Sequence, residues 1–406
     1  MENRAERKAL SIYVHIPFCV RKCAYCDFLS APATEREKEH YVNILCKEIE
    51  REAVRYPGYR VETVFFGGGT PTVLSAEQLK LILCKLNSCF RIEMAEETDG
   101  IGESGEEKDG RKPEITLECN PGTVTGEDLR KLRGAGFNRL SLGLQSAQND
   151  ELRELGRIHT WEEFLETWHS ARKAGFRNIN VDLMAALPGQ NVKSYVNSIE
   201  RVMELSPEHI SAYSLIIEEG TPFYERYGEA DEQRRRYGED RAHLLPSEEE
   251  ERAMYDLTRE ILARGGYHRY EISNYARPGY ECRHNTTYWK RGDYLGFGLG
   301  AASLMENCRF ANAGDLPEYE EGLRREERKL SVQEQMEEFM FLGLRLTEGV
   351  HSDAFRDYFH VPIENIYGDV LKKLESQGLL AREGERIFLT GPGIDVSNMA
   401  LAEFLL

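Results

Sequence analysis

The sequence predicts an α/β fold: a six-strand parallel sheet, open or curled into a partial barrel, followed by a small winged-helix-like α+β module. Three observations carry this expectation. Short β-rich runs alternate with longer amphipathic stretches through the first half, and strands spaced by helices build a parallel sheet. The 406 residues are 41% hydrophobic and 30% charged, enough to bury a sizeable core. Beyond residue 331 the alternation gives way to helices followed by a hairpin pattern.

Taken in order, strands are expected at 11–15, 63–66, 114–118, 139–145, 178–183 and 210–216. Helices are expected at 35–56, 76–90, 126–135, 161–174 and 192–205. Thr125 and Thr160 are N-cap signals, and Gly136 and Gly175 are stop signals. Six strands are too many for one hairpin layer and two fewer than a complete eight-strand barrel. The stretch 93–114 holds nine acidic and three basic residues with four glycines, and reads as a solvated insertion. The stretch 224–251, with Arg234–Arg236 among acids, reads as a linker or helical insert and not as a binding patch. These breaks divide the chain into 1–223, 224–330 and 331–406. In the last part, helices at 332–344 and 363–377 precede strands at 379–382 and 386–389, joined at Glu383-Gly384. With 13 acids against six basic residues, this module suits protein contact or a lid better than DNA.

Charge narrows the partners. Lys+Arg is 52 and Asp+Glu is 70, a formal charge of -18. A phosphate-backbone binder needs a basic face, so no nucleic-acid partner is expected. No run approaches the roughly 18 apolar residues of a membrane span. The first ten residues are polar, and the run 12–18 is broken by His15 and Pro17, so neither a secretory signal nor a transit peptide is read. The expected compartment is the cytoplasm. Nine cysteines in a chain this long are not a disulfide framework and call for a metal or thiol reading.

Cys19, Cys23 and Cys26 form a C-x3-C-x2-C run just after the first strand. Three thiolates in one tight loop can hold three irons of a cubane cluster and leave the fourth iron open for chemistry. Zinc asks for four ligands, and no fourth cysteine lies nearby at a regular spacing. Ligands of parallel α/β sheets bind at the carboxyl ends of the strands. There the second strand runs into Gly67-Gly68-Gly69-Thr70-Pro71, the third ends in Glu118, the fourth in Gln145, the fifth carries Asp182, and Arg157 follows the fourth. Each residue alone reads as a cap or turn. As a set they point to one polar ligand.

On these residues the chain resembles the radical S-adenosylmethionine (SAM) superfamily, which carries C-x3-C-x2-C and chelates the open iron with the amino and carboxylate groups of the methionine moiety. The resemblance implies a partial (β/α)6 barrel, a [4Fe-4S] cluster on Cys19, Cys23 and Cys26, and reductive cleavage to a 5'-deoxyadenosyl radical. It places Tyr13, Tyr25, Gly68, Gly69, Thr70, Glu118, Gln145, Arg157 and Asp182 around S-adenosylmethionine. Arg157 suits the carboxylate; Asp182 and Glu118 suit ribose hydroxyls or an ammonium group. Within the superfamily the chain is similar to the oxygen-independent coproporphyrinogen oxidases (HemN) and their relatives, the heme chaperones (HemW).

Two features separate those branches. The oxidases carry a further cysteine two positions after the third; here that position is Phe28, preceded by Asp27. His284-Asn285-Thr286-Thr287-Tyr288-Trp289 is similar to the H-N-x-x-Y-W signature of the heme chaperones, whose histidine is linked to heme. A neutral imidazole is a standard heme ligand, Tyr288 and Trp289 offer stacking faces, and the run Gly292–Gly300 permits a flat ligand to approach. The resemblance therefore implies heme on His284 and an unidentified heme-acceptor protein, with peripheral membrane contact where that acceptor sits in a membrane. It implies no coproporphyrinogen oxidation, names no catalytic residue, and leaves S-adenosylmethionine cleavage open. Cys282, two residues before His284, offers a second iron ligand or thioether donor, against the simpler reading of a buried free thiol; Cys46, Cys84, Cys89, Cys119 and Cys308 read as core or surface thiols.

Overall fold

The computed structural model describes residues 8–93 and 112–406. Most of the acidic stretch expected as an insertion, 94–111, lies outside the described residues.

Six strands pair in chain order and in parallel: β1 (Ala9–Ile16), β2 (Arg60–Gly68), β3 (Glu114–Cys119), β4 (Arg139–Gln145), β5 (Ile179–Ala185) and β6 (His209–Ser214). Helices α1 (Glu35–Arg55), α2 (Ala76–Phe90), α3 (Gly126–Ala135), α4 (Asn149–Glu154), α5 (Trp161–Lys173) and α6 (Val192–Glu204) connect them. The caps explain where they start. Thr34, Ser75, Thr125, Thr160 and Asn191 each close a reciprocal capping box, which satisfies N–H groups that the first turn cannot bond internally. Gly136 ends α3 at φ 116°, a conformation that a Cβ would strain.

Side chains alternate across a strand with period two, and here the alternation separates two chemistries. One face carries Ile12, Val14, Val64, Phe66, Ile115, Leu117, Leu140, Leu142, Val181 and Ile210, all buried with the helices in one apolar core. Burying each such side chain contributes about 1.5–3 kcal/mol. The opposite face carries Ser11, Thr63, Glu114, Thr116, Arg139, Ser141, Asn180 and His209, polar and still buried. The sheet thus curls around a polar interior.

After β6 come two helices, α7 (Pro222–Tyr237) and α8 (Glu248–Arg264). The arginine run of α7 is internal in part: Arg234 is buried and pairs with Asp231 and Glu251 at 2.9 and 2.8 Å. Strands β7 (His268–Arg269) and β8 (Asn274–Ala276) extend the sheet beyond β6. Helix α9 (Arg283–Trp289) packs against β2. Beyond it, β9 (Tyr294–Phe297) joins the free edge of β1 as a seventh parallel strand that sequence reading missed. Strands β10 (Ala302–Met305), β11 (Cys308–Asn312) and β12 (Arg324–Lys329) continue antiparallel from it, with α10 (Leu316–Glu320) before β12. Among the described residues the order β12-β11-β10-β9-β1-β2-β3-β4-β5-β6-β8-β7 is linear and the sheet does not close. The run Gly292–Gly300 is corrected here: it is strand β9 and its turn, not an approach for a flat ligand. A Cβ on Gly298 (φ 100°) would lie 2.5 Å from the His15 carbonyl oxygen, so the glycine serves contact between strands.

Residues 331–406 pack around a second apolar cluster that includes Met340, Phe355, Tyr367, Leu371 and Phe404. Helices α11 (Val332–Gly343), α12 (Ser352–Phe359) and α13 (Glu364–Ser376) precede a three-stranded sheet of β13 (Val350–His351), β14 (Leu380–Glu383) and β15 (Arg386–Leu389). Two short helices follow, α14 (Gly391–Asp395) and α15 (Ser397–Ala402). Arg291 and Arg309 both reach Glu338 of α11, at 3.0 and 2.8 Å, and fasten this module to the large sheet.

Candidate functional site

The loop after β1 is stitched to the loop after β2. Thr70 N–H donates to the Phe18 carbonyl at 2.7 Å, Gly69 N–H to that of Ile16 at 2.9 Å, and Cys19 N–H to that of Ala31 at 3.1 Å. Gly69 permits this closeness: a Cβ there would lie 2.6 Å from the Phe18 oxygen and 2.9 Å from Cys19 Sγ. The stitching places Cys19, Cys23 and Cys26 on one side of a cavity of about 480 Å3. Gly68, Gly69, Thr70, Glu118, Gln145, Arg157, Asp182 and Tyr25 also line it. A volume of this size is in the usual range for small-molecule sites.

The three cysteines are free thiols. Thr70 Oγ1 lies 3.5 Å from Cys19 Sγ, and Arg157 Nη1 donates to Cys23 Sγ at 3.6 Å. Burial pushes the Cys26 thiol up, so its thiolate form calls for nearby positive charge, which iron would supply. Among the described residues no three His, Cys, Asp or Glu side chains converge on a single ion position. A cubane asks for a different arrangement, three thiolates each holding its own iron.

The opposite wall holds charge that the protein itself leaves largely unpaired. Glu118 is partly buried, and desolvation, with the neighbouring charge of Asp182, pushes its pKa up to about 8. Burial also raises Asp182. Arg139 and Arg157 line the same cavity, and the Nε atom of each is buried without a partner, as is Asn274 Oδ1. The Arg157 fork is otherwise engaged, to Asn120 Oδ1 at 2.7 Å and to the Gly143 carbonyl. Gln145 sits at φ 75°, next to an irregularity in the pairing of β4 with β5, and its Oε1 accepts from Tyr213 OH at 2.8 Å. Non-glycine residues with positive φ are uncommon and cluster where side chains are re-aimed. Buried acids beside unsatisfied donors fit a ligand carrying both an ammonium and a carboxylate. S-adenosylmethionine has both, with ribose hydroxyls besides, so the residues present fit it.

Two predicted residues are not on this wall. Tyr13 lies behind it, its OH 3.1 Å from His15 Nδ1 and its ring against Phe65. His284 lies beneath the cavity, which its neighbour Asn285 lines. Its Nδ1 is 2.7 Å from Thr63 Oγ1 and its Nε2 is 2.8 Å from Tyr288 OH, and its ring stacks on Phe65 at 5.0 Å. Burial lowers its pKa to about 3, so it is neutral, but both nitrogens are occupied. Tyr288 packs edge-on to Tyr294, and Trp289 lies under the Arg345 guanidinium at 4.4 Å. Cys282 is buried; its thiol faces Glu114 at 3.7 Å and is pushed up to about 12 by burial.

Sequence reasoning missed Asn120, Arg139, Ser141, Asn180, Tyr213 and Asn274, which also line the cavity. The signal was available in part. Arg139, Ser141 and Asn180 are the polar positions of otherwise apolar strands, at spacing two.

Comparison with known proteins agrees with this geometry. The radical SAM superfamily model matches residues 13–202, and the HemN C-terminal domain model matches residues 330–396. The protein named heme chaperone HemW in Lactococcus lactis is 36% identical over 404 residues, covering 98% of each chain. That of Bacillus subtilis is 35% identical, covering 97% of this chain and 99% of the relative. Among solved structures, the radical SAM enzyme coproporphyrinogen III oxidase (HemN) of Escherichia coli superposes with a TM-score of 0.80 at 24% identity, covering 99% of this chain and 91% of that one. At that identity the likeness speaks for the fold. The three-cysteine loop, the polar strand ends and the full-length similarity together establish that this chain belongs to the HemW family of the radical SAM superfamily.

Proposed function

We propose that the chain is a heme chaperone on a radical SAM scaffold, which binds a [4Fe-4S] cluster, S-adenosylmethionine and heme and passes heme to an acceptor protein. The observation that carries this is the meeting of the three-cysteine loop and the polar strand ends in one cavity, in a chain whose relatives, end to end, are named heme chaperones. Cys19, Cys23 and Cys26 hold the cluster; Arg157 takes the carboxylate of S-adenosylmethionine, and Glu118 and Asp182 its ammonium or hydroxyls. The bound group supplies one-electron chemistry at the sulfonium. Tyr213 holds Gln145 in place, and Asn120 links Arg157 to Thr70, at 2.7 Å on each side.

His284 is the heme ligand in this reading. In the structure its Nε2 is bonded to Tyr288, so ligation requires that bond to open. Phe28, 63% exposed at the cavity rim, stands where the oxidases carry their further cysteine. The chain works in the cytoplasm, and contact with a membrane-bound acceptor is peripheral. Among the described residues no helix is long and apolar enough to cross a membrane.

Hemin titration of the purified protein tests this. A Soret band is expected to grow with the wild type and to need at least about tenfold more hemin in His284→Ala, the loss of one good ligand. Equal affinity in the variant removes His284 from the assignment. Anaerobic turnover of coproporphyrinogen to protoporphyrinogen by the reconstituted protein would replace the chaperone reading with the oxidase one.

A further inference from the structure

From the cavity wall inward, β4, β5 and β6 carry polar side chains that the reading above does not use. Asn180 is the junction. Its Nδ2 donates to Asp182 Oδ1 at 2.7 Å and to Ser141 Oγ at 2.8 Å. A carboxylate oxygen only accepts, which fixes the amide orientation. Asn180 Oδ1 therefore faces the other way, accepting from Ser211 Oγ at 3.1 Å and from His209 Nδ1 at 2.6 Å. His209 then carries its proton on Nδ1. Burial keeps the imidazole neutral, so Nε2 accepts from Tyr270 OH, at 2.8 Å. The Tyr270 oxygen accepts in turn from the backbone N–H of Cys282 at 3.3 Å.

Cys282 is the N-cap of α9, and its side chain makes no capping bond there. The start of this helix is held instead from a distance. Tyr270 takes the Cys282 N–H, and Glu114 of β3 takes those of Arg283 and His284 at 3.3 and 3.2 Å. Every donor from Cys282 through Tyr270, His209 and Asn180 points the same way, toward Asp182. Aligned bonds in a low-dielectric interior strengthen one another, so charge at one end is felt at the other.

We propose that Asn180, His209 and Tyr270 are positioning residues that couple occupancy of the cofactor cavity at Asp182 to the order of α9, the helix that bears His284. The inference rests on the reading of this cavity as the S-adenosylmethionine site. Donors on the bound cofactor keep Asp182 as an anion in a fixed position. The anion draws the Asn180 amide, and each link tightens the next up to the Cys282 N–H. With the cavity empty that outer donor is lost, and the far end of the relay loosens. Tyr270 also reaches the C-terminal module, since its carbonyl accepts from Thr347 N–H at 3.0 Å.

The test uses the full-length, cluster-reconstituted protein with and without S-adenosylmethionine. Equilibrium dialysis reads cofactor binding, and hydrogen–deuterium exchange reads the segment 280–290. In the wild type, cofactor should slow exchange of this segment by at least about fivefold. Tyr270→Phe removes one hydroxyl and should lose that response, while its cofactor affinity falls by no more than the same factor, as reciprocity requires. His209→Gln should behave alike, and decides the matter if Tyr270→Phe fails to fold. A wild type that binds cofactor without any change in 280–290, or variants that respond as the wild type does, overturns the relay alone. A wild type that binds no S-adenosylmethionine overturns the cavity reading, and the relay with it.

Discussion

Glu118 and Asp182 line the cavity and His284, on α9, lies beneath it, and the surroundings of these ionisable groups differ. The two acids face open volume, and burial, with the like charge of Asp182, pushes Glu118 up to about 8. His284 has both ring nitrogens bonded to hydroxyls, a phenyl ring on its face and its backbone N–H taken by Glu114. The first environment has protein partners on one side, Asn180 and Ser141 for Asp182, and is open to a ligand on the other. The second is complete and must open before a ligand can enter. A motif names residue types; only the partner count tells a waiting site from a locked one.

The comparison breaks first at the metal. Replacing Cys19, Cys23 or Cys26 with Ala should remove nearly all the broad visible absorbance and bound iron of anaerobically reconstituted protein. Full four-iron content in all three variants would show that the cavity holds no cluster on this loop. Next, Asp182→Ala should weaken S-adenosylmethionine about 10- to 100-fold in equilibrium dialysis, the usual value of a hydrogen bond to a charged group, with the circular dichroism unchanged. Glu118 supplies a pH test. Burial and the charge of Asp182 push its pKa up to about 8, so below that pH it must release a proton to receive a cationic donor. Cofactor affinity should therefore rise with pH from 6 to 8, by at most about tenfold per unit, and then level off. A flat profile over this window contradicts a role for its carboxylate.

The locked end gives a kinetic test and the core a smaller thermodynamic one. If Tyr288 must release His284, Tyr288→Phe should speed growth of the Soret band by about tenfold without weakening the final affinity; a slower or weaker band contradicts the gating step. Far from both ends, Glu48 is buried and accepts from Gly298 N–H at 2.9 Å, Asn312 Nδ2 at 2.6 Å and Tyr319 OH at 2.5 Å, with its pKa raised to about 7 by burial. Its folded pKa lies above its unfolded value, so its contribution is present below pH 4.5 and is lost as pH rises through 7. Denaturant unfolding of wild type minus Glu48→Gln should show this as a fall of up to about 3 kcal/mol between pH 4.5 and 7. Cys84→Ala, at an exposed position, should change stability by less than about 0.5 kcal/mol and leave the iron content alone.

Much of the strand order could be read directly. The first six strands are legible within a few residues because each is a short β-rich run set between amphipathic helical stretches, and such patterns act locally. Strand β9 was missed for the same reason inverted. Gly296 and Gly298 dilute its apolar pattern, because β9 must press its backbone against β1 and the following turn. The site divides likewise. Cys19, Cys23 and Cys26 are neighbours in the chain and legible as a unit. The partners of Arg157 are Asn120, Gly143 and Cys23, brought in from the end of β3, from β4 and from the loop after β1, and no local pattern announces them.

The order of residues by itself determined the parallel βα architecture, the three-thiolate loop and the row of polar residues at the strand ends, since all three follow from spacing along the chain and from the rule that strand ends gather ligands. It also carried the histidine signature of α9. Folding alone decided that the polar row surrounds a cavity while His284 is sealed beneath it. The reason is that hydrogen-bond satisfaction is a property of three-dimensional neighbours: Thr63, Tyr288 and Glu114 complete the histidine from β2, α9 and β3, whereas Glu118 and Asp182 keep part of their surface on the cavity.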